Sequence, residues 1–471
     1  MASLFSKNAR IVLVRRIKGF WEEFRTKKVG LFGLGLLLVY VFFALTAQWL
    51  TPYDPMSQPR LAQSYAMPEW VTLFPQYRDY VKTREWPFNW EIQSGDKFVT
   101  GWGSTVNIAF NTATPAEVKL VNKVDFQQIA PNEFFSKFRY EAANIQNAEY
   151  SLTLEFITPN GTRYRFWTSP TSSEDEAEDV NLDSKNPIFI LGLGFPLQRN
   201  VGRAIFDLKG EYTFGMMVQY RPLSSSAHSE VVIKEAKLVT MGQVHGILGT
   251  DYLAKDIFTG LIYGARMSLT IGLLAAIVGT SIGIFVGVAS GYLGGYVDEI
   301  AMRIVDILIC LPLLPLLLAL VYLYGRNVFY IVVFIAVFGW QGLARIIRAQ
   351  TLSIREAAYI DTARASGAGG FYIMLRHIVP NIIPVAFASM VLAVPGAILF
   401  EAALSFLGFG DPSVPTWGMM LQHAFSFGGF THLAWWWIIP PGLAIIGLCL
   451  AFVFIGYAFD EIVNPRLRRR R

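Results

Sequence analysis

Residues able to do covalent chemistry are sparse in this chain, and the few suggestive groupings sit in unsuitable surroundings. One G-x-S-x-G run occurs, Gly279-Thr280-Ser281-Ile282-Gly283. A nucleophilic serine of that kind needs a sharp strand-to-helix turn. These residues lie midway along an apolar segment, where small side chains serve helix packing instead. No H-E-x-x-H is present, and the five histidines (228, 245, 377, 423 and 432) are scattered. The sequence also lacks G-x-x-x-x-G-K-[ST] and contains no Gly-Lys dipeptide, so it has no P-loop to cradle nucleotide phosphates. The two cysteines, Cys310 and Cys449, stand inside apolar runs and offer neither a disulfide framework nor a metal-ligand spacing. The residues describe no enzyme, and no cofactor or metal is expected on this chain.

One stretch does look built for recognition: residues 353–380, SIREAAYIDTARASGAGGFYIMLRHIVP. It is a charged, small-residue island between long apolar segments. Leu352 to Ala365 is rich in helix formers, and Ser353 with Glu356 has the form of a capping box. Gly367 suits a helix end, and Pro380 stands just before the next apolar run. Ala357, Ala358 and Ala365 remove bulk so that another backbone can approach, while Glu356, Asp361 and Arg364 supply charges to fix its register.

The elements that position this island are membrane spans. The composition, 53% hydrophobic and 16% charged, hides two populations: residues 52 to 250 are polar and the remainder mostly apolar. Val29 to Leu50 is long enough to cross the roughly 30 Å hydrocarbon core. No A-x-A-like cleavage site follows it, so it reads as a retained signal anchor. Further spans are expected at about 267–290, 304–324, 328–344, 381–406 and 436–459. Prolines 312, 315, 384 and 395 kink them, as membrane bundles tolerate. Basic residues favour one side: Arg10, Arg15, Arg16, Lys18, Arg25, Lys27 and Lys28 near the start, Arg303, Arg345, Arg348, Arg355, Arg364 and Arg376, then Arg466 and Arg468 to Arg471. Arg266 and Arg326 fall on the other. The positive-inside rule then places both termini and the island in the cytoplasm, with residues 51–250 outside. Residues 251–265 read either as an amphipathic interfacial stretch or as an early start of the second span.

Three intramembrane charges stand out, because such groups are costly. Arg303 and Asp306 are spaced to pair on one helix face. Glu401 either lines a pathway or bonds to a neighbouring helix. In the polar segment, Tyr150 to Thr168 alternates on both sides of Pro159-Asn160-Gly161, a hairpin signal. Glu211–Tyr220, Val231–Thr240 and, more weakly, Glu117–Asp125 also read as strands, suggesting an all-β sandwich or jelly roll. The acidic run from Glu174 to Asp179 is most simply a solvated loop, with calcium binding the lesser reading. Asn160-Gly161-Thr162 is a glycosylation sequon as well as a turn.

The run Glu356-Ala357-Ala358, Gly367, Ile378-Val379-Pro380 resembles the EAA loop of ABC importer permeases. His245-Gly246-Ile247-Leu248-Gly249-Thr250-Asp251, Leu261-Ile262-Tyr263-Gly264-Ala265-Arg266, Glu401 to Gly408 and Pro415-Thr416-Trp417-Gly418 resemble the C-type permease of dipeptide, oligopeptide and nickel importers. The likeness is loose over residues 1 to 55, strong over 245–467, and absent over roughly 57–240. It implies a six-helix permease fold carrying a large inserted, extracytoplasmic, mainly-β domain. The expected layout is 1–28 basic and cytoplasmic, 29–50 first span, 51–244 outer domain, 245–460 permease core, and 461–471 basic tail. It further implies that Glu356, Ala357, Ala358, Asp361, Arg364, Ala365, Gly367 and Ala368 form a coupling helix. That helix would seat in a partner ATPase, which uses ATP and magnesium. The implied partners are a second homologous permease, two ABC ATPases, an extracytoplasmic substrate-binding protein and the lipid of a prokaryotic cell membrane, with no nucleic acid. Peptide is the expected substrate, and oligosaccharide or nickel the alternatives. A reading of another class is a membrane-anchored ligand-binding protein acting through its β domain. One departure is Ala254-Lys255-Asp256, where the family usually carries Gly-Arg-Asp.

Overall fold

Apolar residues free of charge from Val29 to Leu50 make the first helix, α1 (Lys28–Leu50). The computed structural model describes residues 18–463 except 102. The basic residues Arg10, Arg15 and Arg16, and Arg466 and Arg468–Arg471, lie outside the described residues. The chain divides into two units, one of residues 59–256 and one formed by the stretches on either side.

Among the described residues, the 59–256 unit holds ten antiparallel strands in two sheets. In the first, β1 (Arg84–Pro87), β10 (His228–Thr240), β5 (Phe134–Gln146) and β8 (Glu176–Asp183) are adjacent in that order, and β3 (Val106–Phe110) also pairs with β10. In the second the order is β2 (Glu91–Ser94), β4 (Ala116–Phe126), β9 (Gly210–Pro222), β6 (Ala148–Ile157) and β7 (Arg163–Thr168). Alternate residues of both sheets meet in one core, including Phe138 and Tyr140 from β5, Phe156 from β6 and Phe214 from β9. Two short helices, α2 (Pro187–Gly192) and α3 (Val201–Ile205), start on Asn186 and Asn200, whose side chains accept from Ile188 and Arg203 N–H. The acidic run is not a solvated loop as expected. Glu176 to Asp183 pairs with β5 along its length, and only Val180 and Leu182 turn into the core.

The strands begin and end at one place. Arg84 on β1 faces Thr240 on β10, and Gln243 N–H donates to the Val81 carbonyl at 2.9 Å. Below that junction residues 61–69 run beside 242–256. Gln63 N–H donates to Gly242 O at 3.1 Å, Met67 N–H to Gln243 O at 2.8 Å and His245 N–H to Met67 O at 2.8 Å.

The helical unit continues from α1 to α4 (Ile257–Leu293), which is unbroken, so the stretch before residue 267 is an early start of this span. The kink expected at Pro312 in the third span is present, and the helix before it starts earlier than expected, at Gly295. α5 (Gly295–Cys310) and α6 (Leu313–Tyr324) meet at Leu311-Pro312 with an 89° bend; proline lacks the N–H that would continue the ladder. α7 (Val328–Val337) and α8 (Gln341–Arg355) are separated at Phe338 to Trp340. α9 (Ala358–Ala365), α10 (Gly370–Ile373), α11 (Val379–Leu404), α12 (Trp417–Ser426) and α13 (Trp435–Val463) follow. Among the described residues, five segments are long and apolar enough to cross a membrane, or six if the bent α5–α6 pair is one span.

Small residues decide how α4 packs. A Cβ on Gly283 would meet Leu343 at 3.1 Å, one on Gly287 the Ala344 carbonyl at 2.7 Å, and one on Gly291 Thr351 at 2.7 Å. These glycines recur every fourth residue, on one helix face, and α8 lies against that stripe. The G-x-S-x-G run is therefore a packing surface, and Ser281 Oγ bonds back to the Ile277 carbonyl at 2.8 Å.

Candidate functional site

The island at 353–380 folds as two short helices hung between α8 and α11. The capping box is not formed. α8 runs on to Arg355, Glu356 closes it, and α9 starts at Ala357 without a side-chain cap. Gly367 ends α9 at φ +83°. Its N–H donates to the Arg364 carbonyl at 2.9 Å and that of Ala368 to Ala363 at 3.0 Å, the paired bonds of a Schellman turn. Beyond it α10 passes into α11 through a wide turn at Met374–Ile378.

The island has one anchored side and one open side. Ile360, Ile373 and Ile378 are fully buried against Val288, Ile347 and Ile382, each burial contributing roughly 1.5–3 kcal/mol relative to exposure. Glu356, Ala358, Asp361, Arg364, Ala365 and Gly367 face outward, and Ala357 and Ala368 are half-buried. Asp361 and Arg364 pair at 3.2 Å. Among these open positions stand three exposed aromatics, Tyr359, Phe371 and Tyr372, which the sequence reading passed over. Large exposed rings beside a charged helix were the signal available for them.

α8 is also clasped to α5. Arg348 donates through Nε and Nη2 to both carboxylate oxygens of Asp298 at 2.5 Å, and Arg345 pairs with Asp306. Asp306 is thus bonded across helices rather than to Arg303, which is exposed and makes no ion pair among the described residues. Arg355 pairs with Glu356 at 3.2 Å and reaches the Gly291 and Tyr292 carbonyls at 3.4 Å.

Glu401 is buried near the far end of α11. Ser405 Oγ donates to it at 2.7 Å. Thr416 accepts the Met419 N–H at 3.3 Å as the cap of α12, and a Cβ on Gly418 would lie 2.7 Å from Ser405, so α12 packs closely on the end of α11. The next residue, Trp417, donates to the Leu261 carbonyl at 2.9 Å. Its ring fills the space beside Gly264, where a Cβ would lie 2.5 Å from it. Three of the sequence motifs thus meet in one junction.

The fourth motif closes a turn in the 59–256 unit. Thr250 N–H donates to Ala66 O at 2.9 Å and its hydroxyl to Gln63 O at 2.8 Å. Asp251 accepts from the Leu253 and Lys255 N–H groups, both at 2.9 Å, and burial pushes its carboxyl up to about 6. Ala254 in this turn sits at φ +64°. The Asn160 carboxamide oxygen accepts from Thr162 N–H at 3.1 Å, so this side chain has a turn-forming role.

Residues 257–469 match the family of binding-protein-dependent transport system inner membrane components, and residues 16–68 match the N-terminal TM domain of oligopeptide transport permease C. The chain is 37% identical over 222 residues to the dipeptide transport system permease protein DppC of Bacillus subtilis (strain 168), covering 47% of this chain and 69% of that one. It is 38% identical over 221 residues to the oligopeptide transport system permease protein OppC of Escherichia coli (strain K12), covering 47% and 72%. A structure of the MetNI methionine ABC transporter in inward-facing conformations covers 45% of this chain and 97% of its own, at 19% identity and a TM-score of 0.35. The chain belongs to the binding-protein-dependent transport permeases, multi-pass membrane subunits of ABC importers. Neither match extends over residues 69–256, which hold all ten strands.

Proposed function

We propose that this chain forms half of the translocation pathway of an ATP-driven importer of di- and oligopeptides. It couples to a partner ATPase through Glu356 to Ala368. The observation that carries this is the island itself, anchored on buried isoleucines and open on its charged and aromatic side. Closure of two ATPases on ATP and magnesium pulls that surface. α8 and α11 leave from its two ends, and α8 is locked to α4 by the glycine stripe and to α5 by two ion pairs. A pull at the island therefore moves a packed group of helices rather than a loop, the kind of rigid-body switch that alternates access. A second homologous permease supplies the other half of the pathway, and an extracytoplasmic binding protein delivers substrate. In this reading both termini and the island are cytoplasmic. The inserted β unit lies outside, at the mouth, where it contacts the binding protein or covers the entrance.

Reconstitution tests it. Proteoliposomes holding this chain, its sister permease and the ATPases, with the binding protein added, should accumulate short peptides only when ATP hydrolysis is supported. Accumulation of oligosaccharide or nickel instead overturns the substrate, and uptake without ATPases overturns the importer.

A further inference from the structure

The 59–256 unit carries an exposed apolar patch that its sandwich core does not use. Two short helical turns, Glu69–Leu73 and Pro75–Tyr77, present Leu73 at 83%, Phe74 at 51% and Trp70 at 42% exposure, beside Ile247 at 57%. The patch is held firmly. Trp70 Nε1 donates to the Ile247 carbonyl at 3.0 Å, Glu69 accepts the Gly246 N–H at 3.0 Å, and Trp70 meets Phe74 edge-on at 6.4 Å. Arg78 and Lys82 rim the same hollow, Lys82 paired with Glu69 at 2.6 Å.

Chain continuity says what covers it. The patch comes from the two segments through which this unit is joined in sequence to α1 and α4, Ile247 standing ten residues before the first residue of α4. Tryptophan with large apolar side chains under a basic rim is the composition of a membrane–water interface, where rings sit at headgroup depth and cations meet phosphate. We infer that Trp70, Leu73, Phe74 and Ile247 seat in the phospholipid headgroup region and hold the base of the β unit on the bilayer. This rests on the multi-span reading of the helices, and not on ATP coupling or on peptide as substrate.

A fluorophore on Leu73→Cys, in a Cys310→Ser, Cys449→Ala background, reports its depth. The full chain is reconstituted in phosphatidylethanolamine and phosphatidylglycerol vesicles doped with doxyl-labelled lipid, and a label on Asn160→Cys serves as control. Leu73 is exposed, so the substitution leaves packing untouched. Quenching at 73 should exceed that at 160 several-fold, and Arg78→Glu with Lys82→Glu should lower it. Equal quenching at both positions overturns the inference. So does a label at 73 that is unquenched by lipid and shielded only when the binding protein or sister permease is added. Failure of uptake with strong quenching overturns the importer reading while leaving the anchor standing.

Discussion

At the scale of single residues, the turn after Asp251 carries two testable faults. Ala254 holds a left-handed conformation that costs an L-residue roughly 1–2 kcal/mol. Ala254→Gly should stabilise the β unit by about 0.5–1 kcal/mol, since glycine also enlarges the unfolded ensemble; chemical denaturation checks it. Asp251 carries a carboxyl raised to about 6 by burial. Its protonation favours the folded state, so the stability it brings is complete below an unfolded value of about 3.9 and lost as pH rises towards 6. Asp251→Asn should flatten that slope and melt higher than wild type at neutral pH, by on the order of 2 kcal/mol. A variant with an unchanged slope contradicts this. The motifs at 245–251 and 401–418 were legible as words in the sequence, but their physical reasons were not. Gly264 exists for the Trp417 ring, and Glu401 holds the Ser405 hydroxyl one turn on.

Among the elements, α8 is where the account makes its clearest demand. If the Arg348–Asp298 pair transmits motion from the island to α5, Arg348→Glu and Asp298→Arg should each cut ATP-dependent uptake at least tenfold. The double reversal should recover much of the loss. A double variant no better than either single one contradicts the clasp. This is also the scale at which sequence reasoning fails most. The run at 304–324 read as one span kinked at Pro312; what it did not show is that the bend reaches 89° and that the helix before it begins at Gly295, with Asp298, Glu299, Arg303 and Asp306 making it largely polar on one side. Ser353 and Glu356 looked like a cap because nothing local marks that α8 runs through Ser353 and ends at Glu356. The alternation in β6, β9 and β10 was readable. β5 places Ser136 inward, and β8 carries exposed Glu176 and Glu178 on the same side as the buried Val180 and Leu182, so neither announced itself. The open face of the island was legible because small and charged residues cannot be reconciled with a membrane interior.

Over the whole molecule, the β unit has first and last strands that are neighbours, Arg84 facing Thr240. Removing residues 84–240, between Thr83 and Met241, should leave the helical unit inserted and able to bind its ATPases, because the ladder of 61–69 with 242–256 is retained. Binding-protein-dependent uptake should then fall if the unit contacts that protein. Unchanged affinity and rate assign the unit no part in delivery. The central claim, that the chain works by being gripped at its island, is tested most directly by tagging it in its native membrane. The detergent-solubilised complex is then recovered and its subunits counted by mass spectrometry, for wild type and for Gly367→Val. The account predicts two P-loop ATPases and a second permease with the wild type. It predicts the ATPases strongly depleted in the variant, whose β-branched residue is strained at φ +83°, while the sister permease is retained. Recovery of the chain alone with ligand binding intact, or ATPases held equally well by Gly367→Val, contradicts it.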